Sequence, residues 1–311
     1  MKFDANLSEN LASRLANNSV AIFLFHGVIR KQKDPVRNYT GKHIGADLFA
    51  ECMNALLKKG NPLSMEDIRL MSEENLPFPS NSFAVTFDDG FENNISVAAP
   101  ILHDLNIPST IYVTSKFVDE NGMSWIDRIE YAVQDTELKT IAAEWINTDF
   151  KIDDAEQKIS FLRNIRQYVK NTPECDPNQF ADALCVRLGK SGKLATEDQL
   201  DLKMTWDQVR DANASDLITI GGHSHSHPIL SFLSQEQLKA ELDISLNMLL
   251  ERANVAPTHY SYPEGLSHCF SENVIKELKN RGVKCCPTAI DGINRVGVDP
   301  FHLKRIMVNA E

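Results

Sequence analysis

The sequence predicts an α/β fold, a parallel sheet or barrel in one domain over residues 1–311, with a helical insertion at about 116–204. Three observations predict it. Short apolar runs suited to strands alternate with stretches whose apolar residues recur every three or four positions. That alternation stops near Lys116 and resumes near Met204, and the sequence between them is charged and helical. A chain of 311 residues with 42% hydrophobic and 24% charged residues can bury a large core. Because α/β barrels commonly run to about 250 residues in one domain, the length leaves room for an insertion.

Residues 20–26 form the first expected strand and 46–59 the first amphipathic helix. A strand over 83–88 leads into a helix over 95–105, and a strand over 110–114 precedes the insertion. Inside the insertion, helical spacing marks 126–132, 155–169 and 180–188, with no convincing strand. Trp125, near its start, either offers its ring face to a sugar or packs as a core tryptophan. Regular alternation returns with a strand over 217–221 and a long helix over 235–252. Ser234 and Gln237 form a capping box at the start of that helix, and Leu238, Leu242, Leu246 and Leu249 mark its apolar face. Strands over 259–262 and 283–287 flank a last helix over 272–281.

A net charge of −11 argues against nucleic acid or anionic lipid as the main partner. No run approaches the roughly 18 apolar residues of a membrane span. The N-terminal Met1-Lys2-Phe3-Asp4 continues into polar sequence rather than a signal core, so the expected location is the cytoplasm. The six cysteines (Cys52, Cys175, Cys185, Cys269, Cys285 and Cys286) contain no C-x-x-C pair and read as buried free thiols. There is no internal repeat and no phosphate-cradling glycine motif, so nucleotide chemistry has no support.

Two short segments carry the chemistry. Thr86-Phe87-Asp88-Asp89-Gly90 closes one apolar run, and His223-Ser224-His225-Ser226-His227 closes another after Gly221-Gly222. In barrels, the carboxyl ends of strands are where reacting groups gather. Of two adjacent carboxylates, one can bind a cation while the other removes a proton from water. An Asp-Gly turn after a strand accounts for the same residues without chemistry. On a helical turn, His223 and His227 would project from one face as two ligands of one ion, and His225 would point away. A His-rich surface loop is the plainer alternative.

These motifs resemble those of the polysaccharide deacetylases, the NodB-homology group also called carbohydrate esterase family 4. Thr86 to Gly90 is similar to the T-F-D-D-G motif, and His223-Ser224-x-x-His227 to H-S/T-x-x-H, in the expected order. The resemblance runs from about Val20 to the C-terminus. It implies a deformed (β/α)7 barrel and a divalent metal, usually zinc, with Co²⁺, Ni²⁺ or Fe²⁺ as alternatives. It also implies that Asp89, His223 and His227 bind the metal and that Asp88 is the general base. The implied reaction removes an N-acetyl group from an amino sugar or glycan intermediate and releases acetate. The other readings are a carbohydrate-binding module that keeps a metal site without activity, and a hydrolase of a non-sugar amide. Oligomeric state is not legible.

The third motif, R-P-P-Y-G in many members, corresponds to Ser261-Tyr262-Pro263-Glu264-Gly265. Glu264 stands where the family's backbone N–H helps to hold the oxyanion, a role that survives a side-chain change. Its arginine is missing. Arg305 is the candidate substitute, with a surface or structural arginine as the alternative. The C-terminal motif that supplies a histidine acid matches poorly at Pro300-Phe301-His302-Leu303. Phe25-His26-Gly27-Val28 instead resembles the Y-H-x-V segment of subgroups acting on exopolysaccharides, which makes His26 the expected acid. A core histidine is the alternative for His26, and His302, His259 and His268 are the other candidates for the role.

Overall fold

The computed structural model describes residues 6–31, 35–172, 174–190 and 196–310. The N-terminal residues 1–4, on which the cytoplasmic expectation was based, lie outside the described residues, as do parts of the insertion at 173 and 191–195. In chain order come α1 (Leu7–Ser13), β1 (Ser19–Phe25), β2 (Gly27–Ile29), β3 (His43–Gly45), α2 (Ala46–Lys59), β4 (Asn61–Pro62), α3 (Met65–Glu73), β5 (Ser82–Phe87), α4 (Ala99–Asp104), β6 (Ser109–Val113) and α5 (Ser115–Glu120). The insertion contributes α6 (Trp125–Asp135), a hairpin of β7 (Thr140–Ala143) and β8 (Thr148–Lys151), α7 (Ala155–Asn171) and α8 (Pro177–Arg187). The chain returns through α9 (Trp206–Asn213), β9 (Ile218–Gly222), α10 (Gln235–Ala253), α11 (Glu272–Asn280), β10 (Asn294–Arg295) and β11 (Ile306–Met307).

Strands β1, β5 and β6 are buried at every position, as expected of parallel strands covered on both faces. They run in the order β1, β5, β6, β9, all parallel. Beyond β9 the ladder thins. Gly222 bridges Tyr260 and His259 bridges Cys285, both in parallel. Thr288 N–H then donates to Leu303 O at 2.8 Å, and β11 pairs in parallel with β1. The hydrogen-bonded circuit therefore closes through seven staves, regular on one side and deformed on the other. The expected strands at 259–262 and 283–287 are extended segments held by isolated bridges, because Pro263 and Pro287 remove donors just where a ladder would continue.

Helix expectations hold to within a few residues, and the α10 capping box is present. The helix over 95–105 divides into a π-helical turn, Asn94–Ala98, and the short α4. Within the insertion, the absence of strands was wrong. Thr140–Ala143 and Thr148–Lys151 pair antiparallel around Asn147, which adopts the left-handed conformation. Trp125, Ile129, Phe161, Ile165 and Leu184 belong to a hydrophobic cluster separate from the barrel core. Trp125 is a buried member of that cluster and does not offer its face to a ligand. All six cysteines are free, but Cys175 is partly exposed rather than buried. No helix among the described residues is long and apolar enough to cross a membrane.

Register brings the motifs together. Phe25 pairs with Phe87, so His26 and Asp88 leave the sheet side by side, with Asp88 N–H still donating to Phe25 O at 3.1 Å. Val113 pairs with Gly222, which releases His223 at the same end. That end is the carboxyl end of the strands, the mouth of the barrel.

Candidate functional site

Among the described residues, twelve non-glycine residues have positive φ, and eight are asparagines, the type that tolerates the left-handed region best. The other four are Asp89, Ser224, His227 and Glu264. All of them lie in the three motif loops. Left-handed backbone at such residues costs about 1–3 kcal/mol each and persists where the surrounding structure holds it for function. Gly265, beside Glu264, is also left-handed, and a Cβ there would lie 2.5 Å from Ala289 N, so the turn admits only glycine.

The loop after β9 is not the helical turn expected for His223 and His227. Left-handed residues at Ser224 and His227 bend it instead, and hydrogen bonds fix the bend. Ser224 N–H donates to Tyr260 Oη at 2.8 Å, and His227 N–H donates to Ser224 Oγ at 2.9 Å. Glu241 of α10 accepts from the N–H groups of His225 at 2.8 Å and Ser226 at 2.5 Å. His225 turns away, its Nδ1 2.9 Å from Ser115 Oγ. The two outer imidazoles converge. His223 Nε2 and His227 Nε2 stand 3.7 and 3.5 Å from Asp89 Oδ1.

Asp89 Oδ1 is buried and makes no hydrogen bond. The three ligand atoms lie within 4.8 Å of one another. Ligands about 2.1 Å from one tetrahedral ion stand roughly 3.4 Å apart, so this two-nitrogen, one-oxygen set fits a divalent cation such as zinc. Tautomer supports the fit. His223 Nδ1 lies 2.9 Å from Ser261 O, which can only accept, so Nδ1 carries the proton and Nε2 faces Asp89 with its lone pair. Burial disfavours the protonated ring and lowers the His223 pKa, although Asp88 pulls the other way.

Asp88 is held separately. Arg305 donates Nη1 to its Oδ1 and Nη2 to its Oδ2, both at 2.8 Å. Arg305 is itself fully buried, so it is not a surface arginine, and its Nε donates to Thr288 O at 2.7 Å. Ser261 Oγ accepts from Arg305 Nη2 at 2.8 Å and lies 3.4 Å from Asp88 Oδ2. Burial alone would raise the Asp88 pKa, but Arg305, with His223 and His26 adding to it, brings it down to about 2. A buried carboxylate kept ionised and oriented in this way, beside the Asp89–His223–His227 cluster, is of the type that can take a proton from water.

His26, partly buried, follows β1 directly beside Asp88. Its Nδ1 makes no hydrogen bond, and burial lowers its pKa against the pull of Asp89. The other candidate histidines are engaged elsewhere: His259 Nε2 is 2.9 Å from Glu66 Oε2, His302 pairs with Asp299 and His268 stacks on Phe232. Glu264 sits in the left-handed turn after the third motif. Sequence reasoning missed Ser261 and Glu241. Ser261 stood inside the quoted motif, but its contacts with His223 and Arg305 link segments 38 and 44 residues away. Glu241 looks like any solvated helix glutamate.

Comparison with known proteins agrees with this architecture. The sequence profile of the polysaccharide deacetylase family matches residues 75–286. No curated protein sequence matches the chain. Among solved structures, the Streptococcus pyogenes deacetylase PplD in complex with acetate is similar at TM-score 0.60 and 14% identity, covering 94% of each chain. IcaB from Ammonifex degensii is similar at TM-score 0.60 and 15% identity, covering 95% of this chain and 94% of that one. The deacetylase domain of BpsB from Bordetella bronchiseptica is similar at TM-score 0.55 and 16% identity, covering 94% and 96%. At these identities the likeness concerns the fold.

Proposed function

The chain belongs to the polysaccharide deacetylase family, and we propose that it is a metal-dependent hydrolase that removes the N-acetyl group from an amino sugar or glycan and releases acetate. The observation that carries this reading is the convergence of Asp89, His223 and His227 beside a separately anchored Asp88. When bound, a divalent ion, zinc first, supplies Lewis acidity toward the amide carbonyl and the attacking water. Asp88 is ionised across the neutral range and accepts the proton of that water. Arg305 and Ser261 keep its carboxylate in orientation. The Glu264 backbone N–H receives the developing oxyanion. As the C–N bond breaks, His26 hands a proton to the departing amine, and the proton that Asp88 took from the water closes the balance. A net charge of −11 favours a neutral glycan over a strongly anionic one.

Acetate release from N-acetylglucosamine oligomers tests this reading, measured with added Zn²⁺ and again after chelation. Turnover that stops on chelation and returns with metal supports it. Oligomer binding without acetate release under any metal condition would instead mark a non-catalytic carbohydrate-binding module.

A further inference from the structure

His26 stands where the barrel sheet gives way to a side ladder: β1 ends at Phe25, and β2, which starts at Gly27, pairs with β3. Its ring is partly exposed, while Nδ1 is buried and makes no hydrogen bond among the described residues. Other groups of the site are oriented through their side chains, Asp88 by Arg305 and His223 by Ser261 O. For His26 the polar contacts fall on the main chain instead, and two asparagines supply them. Asn94 Nδ2 donates to His26 O at 2.9 Å, and Val28 N–H donates to Asn93 Oδ1 at 3.1 Å. Asn93 Nδ2 donates to Gln199 O at 2.7 Å and lies 3.1 Å from His43 Nδ1. Val28 N–H can only donate and Gln199 O can only accept, so the amide has one orientation and His43 Nδ1 is an acceptor. Burial pushes the His43 pKa well below the usual histidine range, so that ring is neutral. It packs on Gly27, where a Cβ would stand 2.1 Å from His43 Nδ1 and 2.7 Å from Asn93 Oδ1. Any larger residue at Gly27 would therefore shift the segment that carries His26.

The loop that carries Asp88 and Asp89 runs directly into this asparagine pair. Asn94 opens the π-helical turn Asn94–Ala98, which Ala99 N–H closes on Asn94 O, and such wide turns are found most often at functional sites. Stability alone does not account for the Asn94 amide. Its donor gains one hydrogen bond, but its Oδ1 is buried without any. A leucine of similar outline would avoid that loss.

We infer that Asn94 is a positioning residue for His26: through the His26 carbonyl it holds the ring where the departing amine collects its proton, and Asn93, His43 and Gly27 fix the rest of the same segment. This inference rests on the deacetylase reading and extends it to the placement of the acid. Acetate release from the N-acetylglucosamine tetramer and from 4-nitrophenyl acetate is measured on the zinc-loaded protein. An amine departs only with a proton, whereas nitrophenolate departs without one. Asn94→Leu should lower kcat for the tetramer about 10–100-fold with KM unchanged, since a displacement of about 1 Å suffices for such a loss. Ester turnover should change by less than about twofold. In a His26→Ala background, Asn94→Leu should cost nothing further, because the residue it positions is gone. Asn94→Ala repeats each measurement if the leucine variant fails to fold. Unchanged tetramer kcat, ester turnover that falls in step with tetramer turnover, or an undiminished further loss in the His26→Ala background overturns the positioning role. Any of these three beside normal tetramer turnover by the wild-type protein fails the positioning role alone. No acetate from the tetramer with the wild-type protein fails the deacetylase reading, and the positioning role with it.

Discussion

Asp88 and Asp89 are neighbours in sequence with opposite surroundings: one carboxylate is held by a guanidinium, and the other leaves a buried oxygen without a hydrogen bond, facing two imidazoles. That contrast predicts different failures. Asp88→Asn should lower acetate release by about 10²–10⁴-fold while metal content, read by elemental analysis, stays at the wild-type level. Retained activity in that variant would remove Asp88 from the proposed chemistry. Arg305→Met leaves the Asp88 carboxylate buried without its partner and should destabilise the fold by about 3–5 kcal/mol in chemical denaturation. Adding Asp88→Asn to that variant should restore part of the loss, since the uncompensated charge is then gone. The two motifs that name Asp88, Asp89, His223 and His227 were legible because each is a local run at the end of an apolar strand. Arg305 was legible only as a guess. Its contact with Asp88 spans 217 residues, and nothing local to Leu303-Lys304-Arg305-Ile306 announces it. The helical turn expected for the histidines was wrong because Ser224 and His227 adopt left-handed backbone that no propensity predicts.

Helix α10 does more than fill space. Glu241 gathers the N–H groups of His225 and Ser226 and thereby sets the bend that aims His223 and His227. Glu241→Ala should weaken metal affinity by about 10–100-fold, measured by competition with a chelating dye, while leaving helix content by circular dichroism unchanged. Unaltered affinity would show that the loop holds its bend without the helix. Helix α3 is tied to the deformed side of the barrel through Glu66, which bonds Arg69 and His259. The Arg69 bonds, against burial and with help from His259, lower the Glu66 pKa to about 2. A depressed carboxylate contributes stability that is full above its unfolded value, about 4.3, and is lost as pH falls through about 2. Urea midpoints of the native protein and Glu66→Gln should therefore differ at pH 6 and converge by pH 2. A constant gap would place the effect elsewhere. Strands buried on both faces and helices with clean three-four spacing could be read directly. The hairpin β7–β8 could not, because each strand has four residues and only Ile141 and Ala143 turn inward on β7.

At the scale of the whole molecule, the chain carries a barrel core and a separate insertion core, and polar contacts join the two. Lys42, ahead of β3, pairs with Asp127 of α6 at 2.5 Å, and Arg37 pairs with Asp201. Phe161, fully buried in the insertion between Trp145 and Phe150, belongs to neither the barrel sheet nor the Asp89–His223–His227 cluster. Phe161→Ala should cost about 3–5 kcal/mol of local stability. Hydrogen exchange should lose protection across 125–188 first and leave the barrel strands protected. Uniform loss over both cores would show that the insertion does not open on its own. The central claim, that one cation held by Asp89, His223 and His227 is required to remove an N-acetyl group, is tested most directly by titrating Zn²⁺ into metal-stripped protein and following acetate release from an N-acetylglucosamine oligomer. The account predicts no release without metal, a rise that saturates at one equivalent, and no response in His227→Ala at the same concentrations. Full release from the stripped protein, or an unchanged titration in His227→Ala, would contradict it.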